Sequence, residues 1–192
     1  MDRATVDVYE ARAAEWLERR GPDAHDDLGR RFREQVGDGL VADLGCGTGR
    51  YLTQIGRPVA GLDVTAAMLE LAARHGEPLV RGDLERLPFR DGALAGVFAR
   101  HSYLHLPRER LAFALGEARR VLRPHGLLLL TLIEGDFEGH DLPSDDFPGR
   151  YFAFWTAGEV GDLVEGAGFV EVAVERIRRV GSQWDLLVTG RS

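Results

Sequence analysis

The ten residues VADLGCGTGR, Val41–Arg50, constrain this chain more than any other stretch. An apolar run stops at Asp43, glycines then take alternate positions at Gly45, Gly47 and Gly49, and a helical pattern follows. Glycine is needed where a backbone must turn sharply and let a ligand come close to it. A helix opening after such a turn points free N–H groups at the ligand and favours an anionic group. Asp63 ends the next apolar run, in GLDVT, eighteen residues after Gly45. A carboxylate there can accept hydrogen bonds from both hydroxyls of a ribose. The blander reading is a glycine turn with a helix-capping aspartate. It accounts for each part singly but not for their order. A nicotinamide fingerprint, Gly-x-Gly-x-x-Gly, would set its third glycine at position 50, and that residue is Arg50.

Around this loop, short apolar runs alternate with helical patterns, which predicts one α/β domain built on a parallel sheet. The expected strands are Leu40–Leu44, Val59–Leu62, Leu79–Arg81, Leu94–Ala99 and Leu127–Ile133. Leu111, Ala114, Leu115, Ala118, Val121 and Leu122 recur at spacings of three and four, so Arg108–Leu122 should be a helix with one buried face. RPHG, Arg123–Gly126, should turn it into the next strand. Thr156 and Glu159 form a Thr-x-x-Glu capping box ahead of a helix that buries Val160, Leu163, Val164 and Ala167 and ends at Gly168. Two β-type runs follow, Phe169–Ile177 and Trp184–Thr189, joined through Gly181 and Ser182 with no room for a helix. They should form an antiparallel hairpin on one edge of the sheet. The segment 134–155 is too long and irregular for an ordinary connection, and its aromatic residues argue against plain disorder.

Composition removes several functions. All 24 cationic side chains are arginine, and the chain holds no lysine and no asparagine. A Schiff-base lysine, a Walker lysine and an Asn-Pro-Pro-Tyr box are therefore impossible. The formal charge of −7 argues against a surface that grips a phosphate backbone throughout, and the arginine clusters at 30–33 and 176–179 read as solvated faces. The longest nearly unbroken apolar run, Gly126–Ile133, is too short to span a bilayer, and the first residues lack the pattern of a signal peptide. A lone cysteine, Cys46, cannot form an internal disulfide, so a reducing cytoplasm is the expected compartment.

With its third glycine at Gly49 and Asp43 two residues before the first, the loop resembles motif I of the class I S-adenosylmethionine-dependent methyltransferases. GLDVTAAMLELA, RGDLERLPF, VLRPHGLLLLT and FWTAGEVGDLVEGAGF are similar to later segments of that family, so the resemblance covers about residues 35 to 190. It looks closest to the small type-11 subgroup, which includes enzymes of quinone biosynthesis. There are departures: Leu94-Ala95 replaces a Phe-Asp pair, and Leu104-His105-Leu106-Pro107 stands where many members have His-His-Leu-Pro.

The resemblance implies a Rossmann-like doubly wound sheet, mostly parallel, with a C-terminal antiparallel hairpin strand, the seven-stranded methyltransferase fold. Residues 1–34 would be a helical lid, 35–134 the cofactor core, 135–155 an acceptor-side loop, and 156–192 a helix and terminal hairpin. It implies S-adenosylmethionine as cofactor. Gly45 and Gly47 would let its methionine part lie against the loop, with Cys46 the small side chain between them, and Gly49 and Arg50 would start the helix whose N-terminus faces its carboxylate. Asp43 would sit beneath the methionine part, Asp63 at the ribose, Asp83 and Leu84 at the adenine, and Val64 and Met68 beside the base. Reaction would be in-line methyl displacement toward a small-molecule acceptor. The alternatives are a tRNA or protein methyltransferase, a nicotinamide-dependent oxidoreductase, and a non-catalytic cofactor-binding partner.

His101, Tyr103 and His105 are the catalytic candidates, because FARHSYLHLP follows the fourth strand and so reaches the carboxyl edge of the sheet. Four-residue spacing also suits two zinc ligands, but Ser102 occupies the glutamate position of His-Glu-x-x-His, and Pro107 looks like a helix start that leaves the histidines in a loop. Metal is therefore not expected. An imidazole base is chemically plausible; pocket lining or a structural hydrogen bond is the plainer role for each. Val6, Tyr9, Ala13, Trp16 and Leu17 form an N-terminal stripe that resembles the family's lid helix, and ordinary packing would explain it equally well. Asp136, His140, Tyr151, Phe152 and Trp155 are the expected specificity residues of the 134–155 loop.

Overall fold

A computed structural model describes residues 1–21, 26–178 and 183–192. Five parallel strands carry the core: β1 (Val41–Leu44), β2 (Val59–Asp63), β3 (Leu79–Arg81), β4 (Leu94–Arg100) and β5 (Leu122–Ile133). Two short strands, β6 (Glu138–Gly139) and β7 (Phe152–Ala153), pair with each other, and β8 (Val170–Arg178) and β9 (Trp184–Arg191) form the terminal hairpin. Among the described residues, seven strands make one sheet in the order β3-β2-β1-β4-β5-β9-β8, with β9 antiparallel to both neighbours. The expected fold class is therefore the observed one. The expected turn at Gly181 and Ser182 lies outside the described residues.

The continuous apolar runs have a direct cause. Both faces of the sheet are covered, so alternate residues of each strand enter different cores. On one side Val97, Ala99, Leu128, Leu130 and Leu132 meet Leu111, Ala114, Leu115 and Ala118 of α5 (Arg108–Val121). On the other, Ala95, Phe98, Leu127 and Leu129 meet Leu28, Phe32 and Val36 of α2 (Leu28–Val36), and Leu52 and Ile55 of α3 (Leu52–Ile55). β8 is exposed along most of its length, as an edge strand can be.

The capping box forms as expected: Thr156 Oγ1 accepts the Glu159 N–H at 3.3 Å, and Glu159 accepts the Thr156 N–H at 2.8 Å, opening α6 (Ala157–Gly166). Two boundaries differ from expectation. RPHG is not a free turn, because β5 already pairs with β4 at Leu122 and the four residues bulge before pairing resumes at Leu127. His125 takes a left-handed φ of 62° in that bulge, and its N–H bonds to the Ser192 carbonyl. The FARHSYLHLP stretch is not wholly loop: Tyr103–His105 form a single 3₁₀ turn before α5.

Strand order reverses between β1 and β4, which opens a crevice at the carboxyl ends of the strands. α1 (Arg3–Arg20), kinked at Arg12, packs against α4 (Ala66–Ala72) and lies along this opening. Segment 134–155 covers it from the other side: Tyr151 N–H donates to Thr5 Oγ1 of α1 at 2.7 Å. Among the described residues, no helix is long and apolar enough to cross a membrane.

Candidate active site

The crevice holds a cavity of about 890 Å³, large enough for a nucleoside and a second small molecule. The glycine loop forms its floor. Gly45 and Cys46 N–H groups both bond to the Leu62 carbonyl, at 2.7 and 2.9 Å, which bends the chain back over β2. Gly45 has a φ of 73°, and a Cβ there would stand 2.3 Å from Ser102 Cβ; Ser102 in turn donates to the Leu44 carbonyl at 2.7 Å. Gly47, with a φ of 54°, has no atom of the described residues within 4 Å of where its Cβ would be, so its backbone is open to a ligand on that side.

Two buried carboxylates lie beneath. Asp63 accepts the Gly47 N–H at 2.9 Å on one oxygen and the Thr65 N–H at 2.9 Å on the other. Burial raises its pKa, and the backbone hydrogen bonds pull against that rise. Asp43 has no such compensation: its Oδ2 is buried without a hydrogen-bond partner among the described residues, and burial followed by the nearby Asp63 pushes its pKa up to about 8. Cys46 fits beside Gly61, where a Cβ would meet its Sγ at 2.9 Å. Burial raises its thiol well above the usual value, so it is no thiolate at neutral pH.

Of the expected cofactor residues, Asp43, Gly45, Cys46, Gly47, Asp63, Val64, Met68 and Leu84 line the cavity. Gly49 and Asp83 stand outside its lining. Gly49 lets α4 approach the loop, since a Cβ there would meet His75 Cδ2 at 2.7 Å and Ala72 Cβ at 3.2 Å. The Asp83 carboxylate is engaged by the Met1 amine at 3.1 Å and the Glu85 N–H at 3.0 Å.

The opposite wall is polar and aromatic. His101, at a φ of 53°, gives its N–H to Thr131 Oγ1 at 2.9 Å and sets Nε2 2.8 Å from Asp185 of β9. His105 is gripped at both nitrogens: Nδ1 lies 2.7 Å from the Tyr151 carbonyl and Nε2 3.0 Å from the Tyr9 hydroxyl. A carbonyl only accepts, so Nδ1 carries the proton, Nε2 is the acceptor, and Tyr9 donates to it. Burial lowers the His105 pKa to about 3, which keeps the ring neutral. Tyr9 oxygen also accepts from Arg150 Nη1 at 2.8 Å, and burial holds its phenol pKa above the ordinary value despite that guanidinium.

Arg150 ties the cover together. It is buried, paired with Asp145 and Asp146, and stacked on the rings of Tyr9, Phe147 and Phe152. Nearby, Arg100 donates to the Tyr51 hydroxyl at 2.7 Å and to Asp26 at 3.2 Å, with Nη1 3.8 Å from Asp185.

Tyr103 must be corrected. The 3₁₀ turn aims it into the core, where it is fully buried, and its hydroxyl has no partner among the described residues. Of the three catalytic candidates only His101 and His105 reach the cavity. Val6, Tyr9 and Trp16 of the N-terminal stripe line it, whereas Ala13 is buried and Leu17 stands outside the lining. Of the loop residues expected to set specificity, Phe152 reaches it; Asp136, His140, Tyr151 and Trp155 do not.

Sequence reasoning did not single out Arg100, Arg150 or Asp185. Arg100 ends a buried strand and Asp185 interrupts an apolar one, and both are signals of a charge held for a purpose. Arg150 has no such signal.

A family model described as a methyltransferase domain matches residues 42–130. Malonyl-[acyl-carrier protein] O-methyltransferase of Dechloromonas aromatica is 32% identical over 187 residues, 86% of this chain and 68% of that protein. A probable tRNA methyltransferase 9B of Bos taurus is 32% identical over 127 residues, 65% of this chain and 28% of that protein. The chain spans less than half the length of the first curated relatives it matches, 39% and 49% in two further cases. Among solved structures, a SAM-dependent methyltransferase of Thermotoga maritima, described as a possible histamine N-methyltransferase, superposes with a TM-score of 0.73 at 21% identity, covering 97% of this chain and 99% of that one.

Proposed function

The chain belongs to the type-11 family of methyltransferase domains, and from that premise we propose that it transfers a methyl group from S-adenosylmethionine to a small-molecule acceptor held in the same cavity. The observation that carries this reading is one cavity with two unlike walls, the glycine loop over Asp43 and Asp63 on one side and the His101, His105 and Tyr9 wall on the other.

The donor set fits the cofactor. The unpartnered oxygen of Asp43 can accept from a cationic or N–H-bearing group, which is what a sulfonium-linked amino acid presents. Asp63, held by the Gly47 and Thr65 N–H groups, is a carboxylate at the cavity edge to which a ribose hydroxyl can donate. Val64, Met68 and Leu84 offer an apolar wall for a base. When bound, S-adenosylmethionine supplies an electrophilic methyl. The protein then has to align the acceptor and exclude water, which α1 and segment 134–155 are placed to do.

Thermal shift with S-adenosylmethionine, S-adenosylhomocysteine and NAD tests the cofactor. A ligand at a hundred times its dissociation constant stabilises by about 2.7 kcal/mol. A shift with NAD and none with either S-adenosyl compound would sink the reading. Asp63→Ala should lose the shift while the far-ultraviolet spectrum is retained. The relatives include probable tRNA methyltransferases, so labelled methyl transfer should be followed into a metabolite extract, RNA and protein side by side. Uptake by RNA alone would replace the small-molecule acceptor with tRNA.

A further inference from the structure

We propose that the Tyr9 oxygen is a specificity-determining contact for the methyl acceptor, taking a hydrogen bond from an N–H or O–H group that this molecule presents to the covering wall. This rests on the methyl-transfer reading above.

A directed chain of hydrogen bonds runs through this wall. Arg150 Nη1 donates to the Tyr9 oxygen at 2.8 Å, Tyr9 donates to His105 Nε2 at 3.0 Å, and His105 Nδ1 donates to the Tyr151 carbonyl at 2.7 Å. The chain starts and ends on adjacent residues of segment 134–155 and passes through α1 and the 3₁₀ turn after β4 between them. Its direction cannot reverse. A guanidinium has no lone pair to accept with, and a carbonyl has no proton to give. Burial holds the His105 pKa at about 3, so the ring stays neutral and no second ring proton competes. Arg150 is buried and paired with Asp145 and Asp146, which fixes the donor end.

Neither Tyr9 nor His105 then has a proton to offer a ligand. His105 is used at both nitrogens. The Tyr9 oxygen takes one N–H and gives its own proton away, and it has no third hydrogen-bond partner among the described residues. A hydroxyl oxygen in that state can still accept. A group bearing only lone pairs would meet a lone pair there and no proton.

Tyr9 stands on the cavity side of its helix: Thr5, Tyr9 and Trp16 recur at helical spacing and all line the cavity. Burial is the main cause of its raised phenol pKa, and the Asp63 carboxylate adds to the rise. The oxygen is thus within electrostatic reach of the wall that would hold the methyl donor. The cofactor's own ammonium and ribose donors are matched by Asp43 and Asp63 on that wall, which leaves Tyr9 for the second molecule.

The direction of the chain is measured first, by long-range proton–nitrogen spectra of the full-length ¹⁵N-histidine protein, with His105 assigned through His105→Gln. The wild type should show the Nδ1–H tautomer, and Tyr9→Phe should shift the Nε2 resonance while the proton stays on Nδ1. An Nε2–H tautomer in the wild type would reverse the chain and overturn the proposal. Transfer is measured next, with methyl-labelled S-adenosylmethionine and a dilution series of whichever fraction of a cell extract takes up label: small molecules, RNA or protein. Tyr9→Phe should raise the amount of that fraction needed for half-maximal rate by about 2- to 10-fold, the worth of one uncharged hydrogen bond. His105→Leu frees the Tyr9 proton and should do the same. His105→Gln should restore most of the loss, because its amide can accept from Tyr9 and donate to the Tyr151 carbonyl. The S-adenosylhomocysteine thermal shift, taken against each variant's own unliganded form, should stay unchanged. A change below about 2-fold in Tyr9→Phe, or equal losses in the Leu and Gln variants, would overturn the contact. A thermal shift lost in Tyr9→Phe would give the oxygen to the cofactor and overturn the acceptor assignment. A wild type with neither label nor thermal shift would refute the methyl-transfer reading and the acceptor contact with it. The histidine spectrum would still report the direction of the chain.

Discussion

Tyr9 and His105 stand 96 residues apart in sequence, and the phenol oxygen of one lies 3.0 Å from the imidazole Nε2 of the other. The bond joins the covering helix α1 to the wall of the cavity opposite the glycine loop, and Arg150 supports it from segment 134–155. Tyr9→Phe would leave His105 Nε2 and one Arg150 N–H without their partner. A loss of about 1–3 kcal/mol in urea unfolding is expected, with faster amide exchange along α1. A loss within about 0.5 kcal/mol, the range of ordinary surface substitutions, would show the contact to be incidental.

The neutral His105 sets an acid limit on the fold. Its pKa falls from 6.5 to about 3 on folding, so the native state binds fewer protons than the unfolded chain between those values. The stability it contributes is complete above pH 6.5 and is lost as pH falls toward 3, by about 1.4 kcal/mol per pH unit. Unfolding followed from pH 7.5 down to pH 4 should show this slope, and His105→Gln should flatten it.

Asp43 has the opposite sign. Its pKa rises from 3.8 to about 8, so the stabilising protonated form is fully present below 3.8 and is lost as pH rises through 8. At pH 7 the empty protein therefore holds a proton there. Binding of a cationic ligand should expel it, giving release of about one proton per ligand. Calorimetry of S-adenosylmethionine in two buffers of unlike ionisation heat measures the number, and Asp43→Asn should bring it close to zero. No release from the wild type would place the ligand's charge away from Asp43.

The loop glycines should separate by function. Gly45→Ala brings a Cβ to 2.3 Å from Ser102 and also forces a left-handed alanine. Overpacking of this kind costs about 1–3 kcal/mol beyond the backbone strain. Gly47→Ala meets no atom within 4 Å among the described residues, so the φ penalty of about 1–2 kcal/mol dominates. Thermal unfolding should rank Gly45→Ala well below Gly47→Ala. Affinity for S-adenosylhomocysteine should fall for Gly47→Ala even where its fold is intact, because the new methyl enters the space left for the ligand.

The parts of the site that could be read from the sequence were local. Alternate glycines after an apolar run, and Asp63 at the end of the next one, are constraints that act within a few residues and leave a pattern. Pairings across the sheet leave none. His101 and Asp185 are 84 residues apart, and only the insertion of β9 beside β5 brings them together. Tyr103 shows the converse: its neighbourhood in sequence was right, but a single 3₁₀ turn decides which of two nearby side chains faces the cavity.

β9 follows β8 in sequence and yet sits inside the sheet, between β5 and β8. During synthesis from the amino end, the glycine loop and its carboxylates can be in place long before residue 185 emerges, and domains fold as their segments become available. A chain halted after β5 could gather the glycine-loop side of the cavity. His101 would still lack the Asp185 contact that β9 brings, so that side of the cavity waits on residues later in the sequence.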